Sequence, residues 1–211
     1  MARRDTPLGP EEFQALAGVS RETLDKLRLY ADLLVKWQRS LNLVGAASLD
    51  DLWCRHMLDS AQLHRYIPSA CERLVDLGSG AGFPGLVLAI MGVAGVELVD
   101  SDQKKATFLR EVIRATGTVA RVHVARAEAM PAEPADVVTA RALAPLDRLI
   151  PLAYRFMGPS TVALIPKGVE VERELTAAAR DWHMWYTRRT SLSDGRATIL
   201  IINRLWRERR N

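Results

Sequence analysis

The chain has 211 residues, 48% of them hydrophobic and 26% charged, which suits a soluble globular protein with room for one full α/β domain and an appendage. Lysine occupies only positions 26, 36, 104, 105 and 167, so 24 of the 29 bases behind the net charge of +4 are arginines, whose planar forks suit phosphates and stacked bases. RNA binding and a GC-rich genome account for that bias equally well, and both stay open. Cys54 and Cys71 form no C-x-x-C pair, no H-x-x-x-H pair occurs, and residues 1–5 lack a signal-peptide apolar core. The longest uncharged apolar run, residues 83–96, is broken by glycines and too short to span a bilayer. Disulfide scaffold, zinc protein and membrane protein are therefore excluded, and the expectation is a cytoplasmic protein without a metal.

In chain order, Gly9-Pro10 predicts a short helix through Ala17, and Ser20 caps a longer one whose Leu24, Leu27, Ala31, Leu34 and Trp37 make one apolar stripe. Trp37 reads as core before it reads as a platform for a base. Asn42-Leu43-Val44-Gly45 breaks that helix. Ser48-Leu49-Asp50-Asp51 is a capping-box pattern for a third helix, with Leu49, Leu52, Trp53, His56, Met57, Ser60 and Leu63 along one face. His56 and Ser60 thus point inward one turn apart, either as packed polar groups or as part of a site, and Arg55 and Asp59 form an i,i+4 pair beside them. Pro68 closes this part, so residues 1–70 read as a helical subdomain and 71–211 as the main domain.

The stretch Leu74-Val75-Asp76-Leu77-Gly78-Ser79-Gly80-Ala81-Gly82-Phe83-Pro84-Gly85 organises the rest. It reads as a buried parallel strand, a glycine turn without Cβ atoms against which a ligand can lie, and a helix beginning at Pro84. Counted from Gly80, the glycines fit the dinucleotide spacing; counted from Gly78, they do not. Asp76 discriminates better, because a carboxylate there repels a pyrophosphate and suits a cationic amino group, as in S-adenosylmethionine. Asp100 ends the next apolar run about 20 residues on, where a ribose hydroxyl pair is usually held.

Beyond it, residues 103–115 predict a helix whose Lys104 and Lys105 lie on a solvated face or contact RNA. Residues 119–125 read as strand three, and Arg126-Ala127-Glu128 as the turn after it. Residues 136–141 read as strand four, with the loop Ala142-Leu143-Ala144-Pro145 beyond its carboxyl end. Arg141, a cation ending a buried strand, calls for a partner: Asp76 or Glu128 as an ion pair, or a cofactor or RNA to position. A helix over 147–157, strand five over 161–165, Pro166-Lys167-Gly168, and a helix over 170–180 follow. A final pair over 185–189 and 199–203 closes the sheet around Ser193-Asp194-Gly195-Arg196. Arg204, Arg207, Arg209 and Arg210 read as a frayed basic tail. Seven strands with alternating helices and a last hairpin fit the class I S-adenosylmethionine-dependent methyltransferase fold, a Rossmann-like α/β fold with a seven-stranded mixed sheet and here an N-terminal helical appendage.

With those residues in view, the chain resembles the bacterial small-subunit ribosomal RNA guanine-N7 methyltransferases, formerly called glucose-inhibited division protein B. The likeness is carried by G-S-G-A-G-F-P-G from Gly78 to Gly85, Trp37 with Asn42-Leu43, Arg55-His56-x-x-Asp59-Ser60, Val99-Asp100-Ser101, Arg141-Ala142 and Lys167-Gly168. Gln38, Val44 and Ala140 depart from the family pattern. The resemblance implies cofactor contacts at Gly78, Phe83, Ala127, Glu128 and Arg141, to which the residues themselves add Asp76, Gly80 and Asp100. It further implies methyl transfer from S-adenosylmethionine, leaving S-adenosylhomocysteine, to guanine N7 in the 530 loop of 16S ribosomal RNA, on the 30S subunit or an assembly intermediate. Guanine N7 presents an in-plane lone pair, so no general base is required and alignment is the main task. His56, Asp59 and Arg141 are expected to position the reactants and Asn42 and Lys167 to hold RNA, with the protein a monomer. Rivals are a nicotinamide oxidoreductase, a small-molecule methyltransferase and a non-catalytic RNA-binding module.

Overall fold

The structure is a computed structural model, and it describes residues 7–207. Helix α1 (Pro10–Ala17) starts with proline in its first turn and ends on Gly18 at φ +66°, a left-handed cap that suits glycine. Helix α2 (Arg21–Gln38) is capped by Ser20, whose side chain accepts from the Thr23 amide at 3.1 Å. Its Leu24, Leu27, Tyr30, Ala31 and Leu34 are buried.

The third helix differs from the sequence reading. A 3-10 turn (Ala46–Ser48) leads to a π-helical turn (Trp53–Leu58), then a single α turn, α3 (Asp59–Ala61), and a further 3-10 turn (Gln62–Tyr66). The polar side chains explain the irregularity. Ser60 donates to the His56 carbonyl at 2.6 Å, and Arg141 donates to the Arg55 carbonyl at 2.9 Å, so part of the helix ladder is satisfied from outside it.

Seven strands follow: β1 (Leu74–Leu77), β2 (Val96–Asp100), β3 (Arg121–Val124), β4 (Val137–Ala140), β5 (Val162–Lys167), β6 (Trp182–Thr190) and β7 (Thr198–Arg207). They form one mixed sheet in the order β3-β2-β1-β4-β5-β7-β6, parallel except where β7 pairs with β5 and β6. The order reverses between β1 and β4, so a crevice opens at their carboxyl ends. Helices α4 (Gly85–Ile90) and α5 (Gln103–Thr116) cover one face, and α6 (Leu146–Tyr154) and α7 (Val171–Ala178) the other.

Alternation along the strands divides the core. Leu74, Leu98, Val137, Leu164 and Ile199 join a cluster with Phe13, Leu27, Tyr30, Leu34, Met57 and Phe108, so the residues before the sheet share its core. Val75, Leu77, Val138, Ile165 and Leu200 pack on the other side with Leu149, Ile150 and Phe156. Each fully buried Leu or Phe contributes roughly 1.5–3 kcal/mol, which fastens the helical part to the sheet. Trp37 is partly buried in this core with its ring 5.7 Å from that of Phe108, as the sequence suggested. Arg204 and Arg207 are not a frayed tail but part of β7, while Arg209, Arg210 and residues 1–5 lie outside the described residues.

Candidate active site

The glycine turn between β1 and α4 forms as expected, and Gly78, Gly80 and Gly82 all take positive φ, at +66°, +57° and +100°. Two acids hold it from opposite sides. Asp100 accepts from the Gly80 amide and the Asp102 amide, both at 2.8 Å, and is part-exposed beside the loop. Asp76 lies beneath the loop, accepting from Thr139 Oγ1 at 2.7 Å and from the Gly85 amide at 3.2 Å. Thr139 is its paired residue on β4, so the register itself supplies the hydroxyl.

The expectation that Asp76 faces the amino group of a bound cofactor is therefore corrected. The residue is fully buried, and burial pushes its carboxyl up to about 6 against the hydrogen bonds that favour the anion. Asp76 shapes the loop from below and caps the first turn of α4. A Cβ at Gly80 would meet nothing closer than the Gly78 carbonyl at 3.8 Å, so this part of the turn is open. At Gly78 the Leu143 side chain lies against the backbone, where a Cβ would come 2.5 Å from its terminal carbon. Ala127 is buried in a 3-10 turn after β3, with Glu128 exposed next to it.

Arg141 follows β4 and is the hub of a polar cluster. It donates to the Arg55 carbonyl and lies 3.2 Å from an Asp59 oxygen, with both side chains largely buried at 16% and 14% exposure. The sequence offered Asp76 or Glu128 as its ion-pair partner; the partner is Asp59, which comes from the helical part. Its second amino group donates to His56 Nδ1 at 2.7 Å, and its guanidinium stands 5.0 Å above the Phe83 ring. Since guanidinium only donates, Nδ1 is the bare nitrogen, and Nε2–H donates to Ser48 Oγ at 2.8 Å. Ser48 passes the chain on to the Gly45 carbonyl at 2.6 Å. Burial first, then Arg141 and Arg55, lowers the His56 imidazole to about 3, so it is neutral at physiological pH. Phe83 is buried under this cluster, its ring stacked 4.8 Å from His56 and 5.3 Å from Tyr30.

Asp59 is held by more than Arg141. Its other oxygen accepts from Ser193 Oγ at 2.7 Å and Gln62 Nε2 at 3.1 Å, and Gln62 also donates to Ser191 Oγ at 2.8 Å. The turn between β6 and β7 is thereby fastened to the helical part. Together these elements enclose a crevice of about 1460 Å³ lined by Asp51, Arg55, Asp59, Arg141–Pro145, Lys167, Glu174 and the 191–198 turn.

One further expectation changes. Lys167 donates to the Ala144 carbonyl at 2.9 Å and pairs with Glu174 at 2.7 Å, and its side chain is 9% exposed. It fixes the 141–145 loop and is not a free grip for RNA phosphates. Asn42 is exposed and accepts from Gln38 Nε2 at 3.3 Å, and its segment is held by Gln38, which accepts from the Leu43 and Val44 amides and donates to the Val44 carbonyl. Gln38 appeared in the sequence only as a departure from a family pattern. Ser48 and Ser193 were legible only as a helix cap and a turn residue, and Gln62, Ser191 and Glu174 carried no signal, because polar residues at turns and on helices are ordinary. Among the described residues no group of three His, Cys, Asp or Glu side chains could hold a metal ion, and no helix is long and apolar enough to cross a membrane.

Comparison with known proteins fits this geometry. Solved structures share the fold: a mutant MtNAS in complex with S-adenosylmethionine gives a TM-score of 0.58 at 17% identity, covering 94% of this chain and 84% of that one. A TehB-like S-adenosylmethionine-dependent methyltransferase from Corynebacterium glutamicum gives 0.55 at 19% identity, covering 82% and 97%. The ribosomal RNA small subunit methyltransferase G of Paramagnetospirillum magneticum is 54% identical over 202 residues, covering 96% of this chain and 98% of the relative. That of Rhodospirillum centenum is 53% identical over 194 residues, covering 92% and 90%. The model of the rRNA small subunit methyltransferase G family matches residues 23–200, which include the glycine turn, the Arg141 cluster and the turn that closes the crevice, and the chain belongs to that family.

Proposed function

We propose that this protein transfers a methyl group from S-adenosylmethionine to N7 of a guanine in 16S ribosomal RNA, on the 30S subunit or an assembly intermediate, in the cytoplasm. The observation that carries the reading is the juxtaposition of the open glycine turn with the large crevice, the Arg141–Pro145 segment being the wall between them. Gly78, Gly80, Asp100, Ala127 and Glu128 would hold the cofactor, which supplies an electrophilic methyl on a sulfonium. The open backbone at Gly80 and the part-exposed Asp100 beside it fit such a group.

The protein's own share is alignment. His56, neutral and with both ring nitrogens engaged, is poorly placed to take a proton, and guanine N7 has none to give. His56, Asp59 and Arg141 are positioning residues: they set the crevice wall and Phe83 beneath it, and so the distance between acceptor nitrogen and methyl carbon. Arg141, already charge-balanced by Asp59, puts little net positive charge beside a purine that becomes cationic as it is methylated.

The test is transfer of labelled methyl to 16S ribosomal RNA lacking its own modification, naked and in 30S subunits, with the labelled nucleotide mapped. Label on guanine N7 is expected. Label on another atom or only on a small molecule overturns the assignment, and failure to bind S-adenosylmethionine in a calorimetric titration removes its basis.

A further inference from the structure

The whole net charge of this chain resides in one hairpin. Residues 182–207 carry Arg188, Arg189, Arg196, Arg204 and Arg207 against the single acid Asp194, while the remaining residues balance. The same hairpin carries the two most exposed tryptophans among the described residues, Trp185 at 60% and Trp206 at 40%. Resting on the reading of ribosomal RNA as substrate, we propose that the outer face of β6 and β7 is a second RNA-binding surface, which stacks unpaired bases away from the active-site crevice.

The register builds this face. His183 pairs with Trp206 and Trp185 with Arg204 across the two strands, so four side chains share one side of the ribbon, opposite Trp182, Met184 and Leu205. His183 stacks on Trp206 at 5.4 Å and 19°, and the Arg204 guanidinium stands 5.0 Å over Trp185. The two indoles meet edge to face at 6.1 Å. Each ring is thus held in a set orientation by a cross-strand partner and remains accessible. Preoriented aromatic faces interleaved with arginine are what sequence-tolerant binding of single-stranded RNA uses, the rings taking bases and the cations taking phosphates.

Position separates this surface from the crevice. Thr198 of β7 pairs with Lys167 at the crevice end of the sheet, and Ile202 pairs with Ala163 near the start of β5. Residues 203–207 therefore run past the far end of the parallel strands, and Trp206 lies roughly 26 Å from Thr198 along the strand at about 3.3 Å per residue. A folded RNA with its target guanine in the crevice would span the sheet edge and present a flanking unpaired segment to this ribbon. A purely structural ladder would need neither the exposure nor the charge: buried cross-strand pairs stabilise a hairpin as well. Arg188 is committed to Glu172, Arg196 to Asp194, and Arg207 stacks over Trp182 on the opposite face, which leaves Arg204 within this face and Arg189 further along β6 for phosphates.

The test uses the full chain. Trp37, Trp53 and Trp182 are buried or partly buried, so a tryptophan-fluorescence titration with oligouridylate reads mainly Trp185 and Trp206. Wild type is expected to be quenched, and Trp185→Ala with Trp206→Ala to lose the quench. Methyl transfer to 16S ribosomal RNA should then show KM raised by about tenfold or more for the double variant, with kcat unchanged. Trp185→Glu, a change at an exposed edge position, should reproduce the KM effect without loss of thermal stability. No quench in wild type, an unchanged KM in both variants, or a wild-type dimer that Trp185→Glu dissociates would overturn the proposal. Quenching without any methyl transfer would support this surface and overturn the catalytic reading instead.

Discussion

The glycine turn is shaped mainly by the ten residues 76–85 and by neighbours on adjacent strands, Val99, Asp100 and Thr139, with Tyr30 and Leu143 packed against it, whereas the cluster around Arg141 draws on Gly45–Ser48, Arg55–Gln62, Phe83 and Ser191–Ser193 as well. The turn is complete once β1 and α4 have met the neighbouring strands β2 and β4. The cluster exists only once the helical part, the sheet and the final hairpin have all met. The turn is thus a preformed cradle tolerant of its surroundings, and the cluster is where assembly of the molecule and the shape of the crevice become the same event. Substitutions should separate the two accordingly.

The largest effect is expected from Arg141→Ala. It leaves the Asp59 carboxylate with its main cationic partner gone, strips His56 Nδ1 of its donor and uncovers Phe83. Breaking a buried pair from one side costs about 3–5 kcal/mol. Chemical denaturation should show that loss, and calorimetry should show S-adenosylmethionine binding weakened less than methyl transfer to RNA. An equal loss of both would merge the two regions into one unit and defeat the comparison.

Next comes the pH dependence, in which the two regions carry opposite signs. His56 falls from an ordinary 6.5 to about 3 on folding, so its contribution is complete above pH 6.5 and is lost as pH drops towards 3. Asp76 rises from 3.8 to about 6, so its contribution is complete below 3.8 and is lost as pH climbs through 6. Replacing His56 by glutamine, whose amide oxygen still accepts from Arg141, should flatten the acid-side loss by on the order of a few kcal/mol. Asp76→Asn should do the reverse and raise stability at pH 7 relative to pH 5. Melting temperatures across pH 4–8 for the three proteins check both signs.

The contrast also explains what could be read without a structure. The short, mostly apolar strands β1, β2, β4 and β5, the glycine turn and its flanking acids are contiguous patterns, so the centre of the sheet and the position of the crevice followed from the sequence directly, while β6 and β7 extend well beyond the residues their apolar pattern marks. The reach of Asp59 to the hairpin and the roles of Gln62, Ser191 and Ser193 did not, because they depend on contacts spanning 129 or more residues. Asp76 shows the subtler failure. Its importance was legible, but a carboxylate beside a glycine turn is compatible with facing the ligand or propping the loop, and only burial decides between them. Lys167 failed for the same reason: its partners Ala144 and Glu174 come from other elements.

The finest discrimination lies within the turn, between two of its glycines. A Cβ at Gly85 would come within 2.7 Å of Asp76 Cβ and 2.6 Å of Leu98, so Gly85→Ala must displace the core face of the sheet. A Cβ at Gly80 meets nothing closer than the Gly78 carbonyl at 3.8 Å, and its cost is the left-handed backbone at φ +57°, about 1–2 kcal/mol for alanine. That lowers the melting temperature by roughly 2–4 °C per kcal/mol in a chain of this size. If the open space above Gly80 is where the cofactor lies, Gly80→Ala should weaken S-adenosylmethionine binding by about tenfold or more while the protein stays folded, since a methyl against the ligand costs about a kcal/mol or more of overpacking. Gly85→Ala should lose stability and binding together. Undiminished affinity in a folded Gly80→Ala protein would move the cofactor off the turn, and with it the wall that Arg141–Pro145 is taken to form between donor and acceptor.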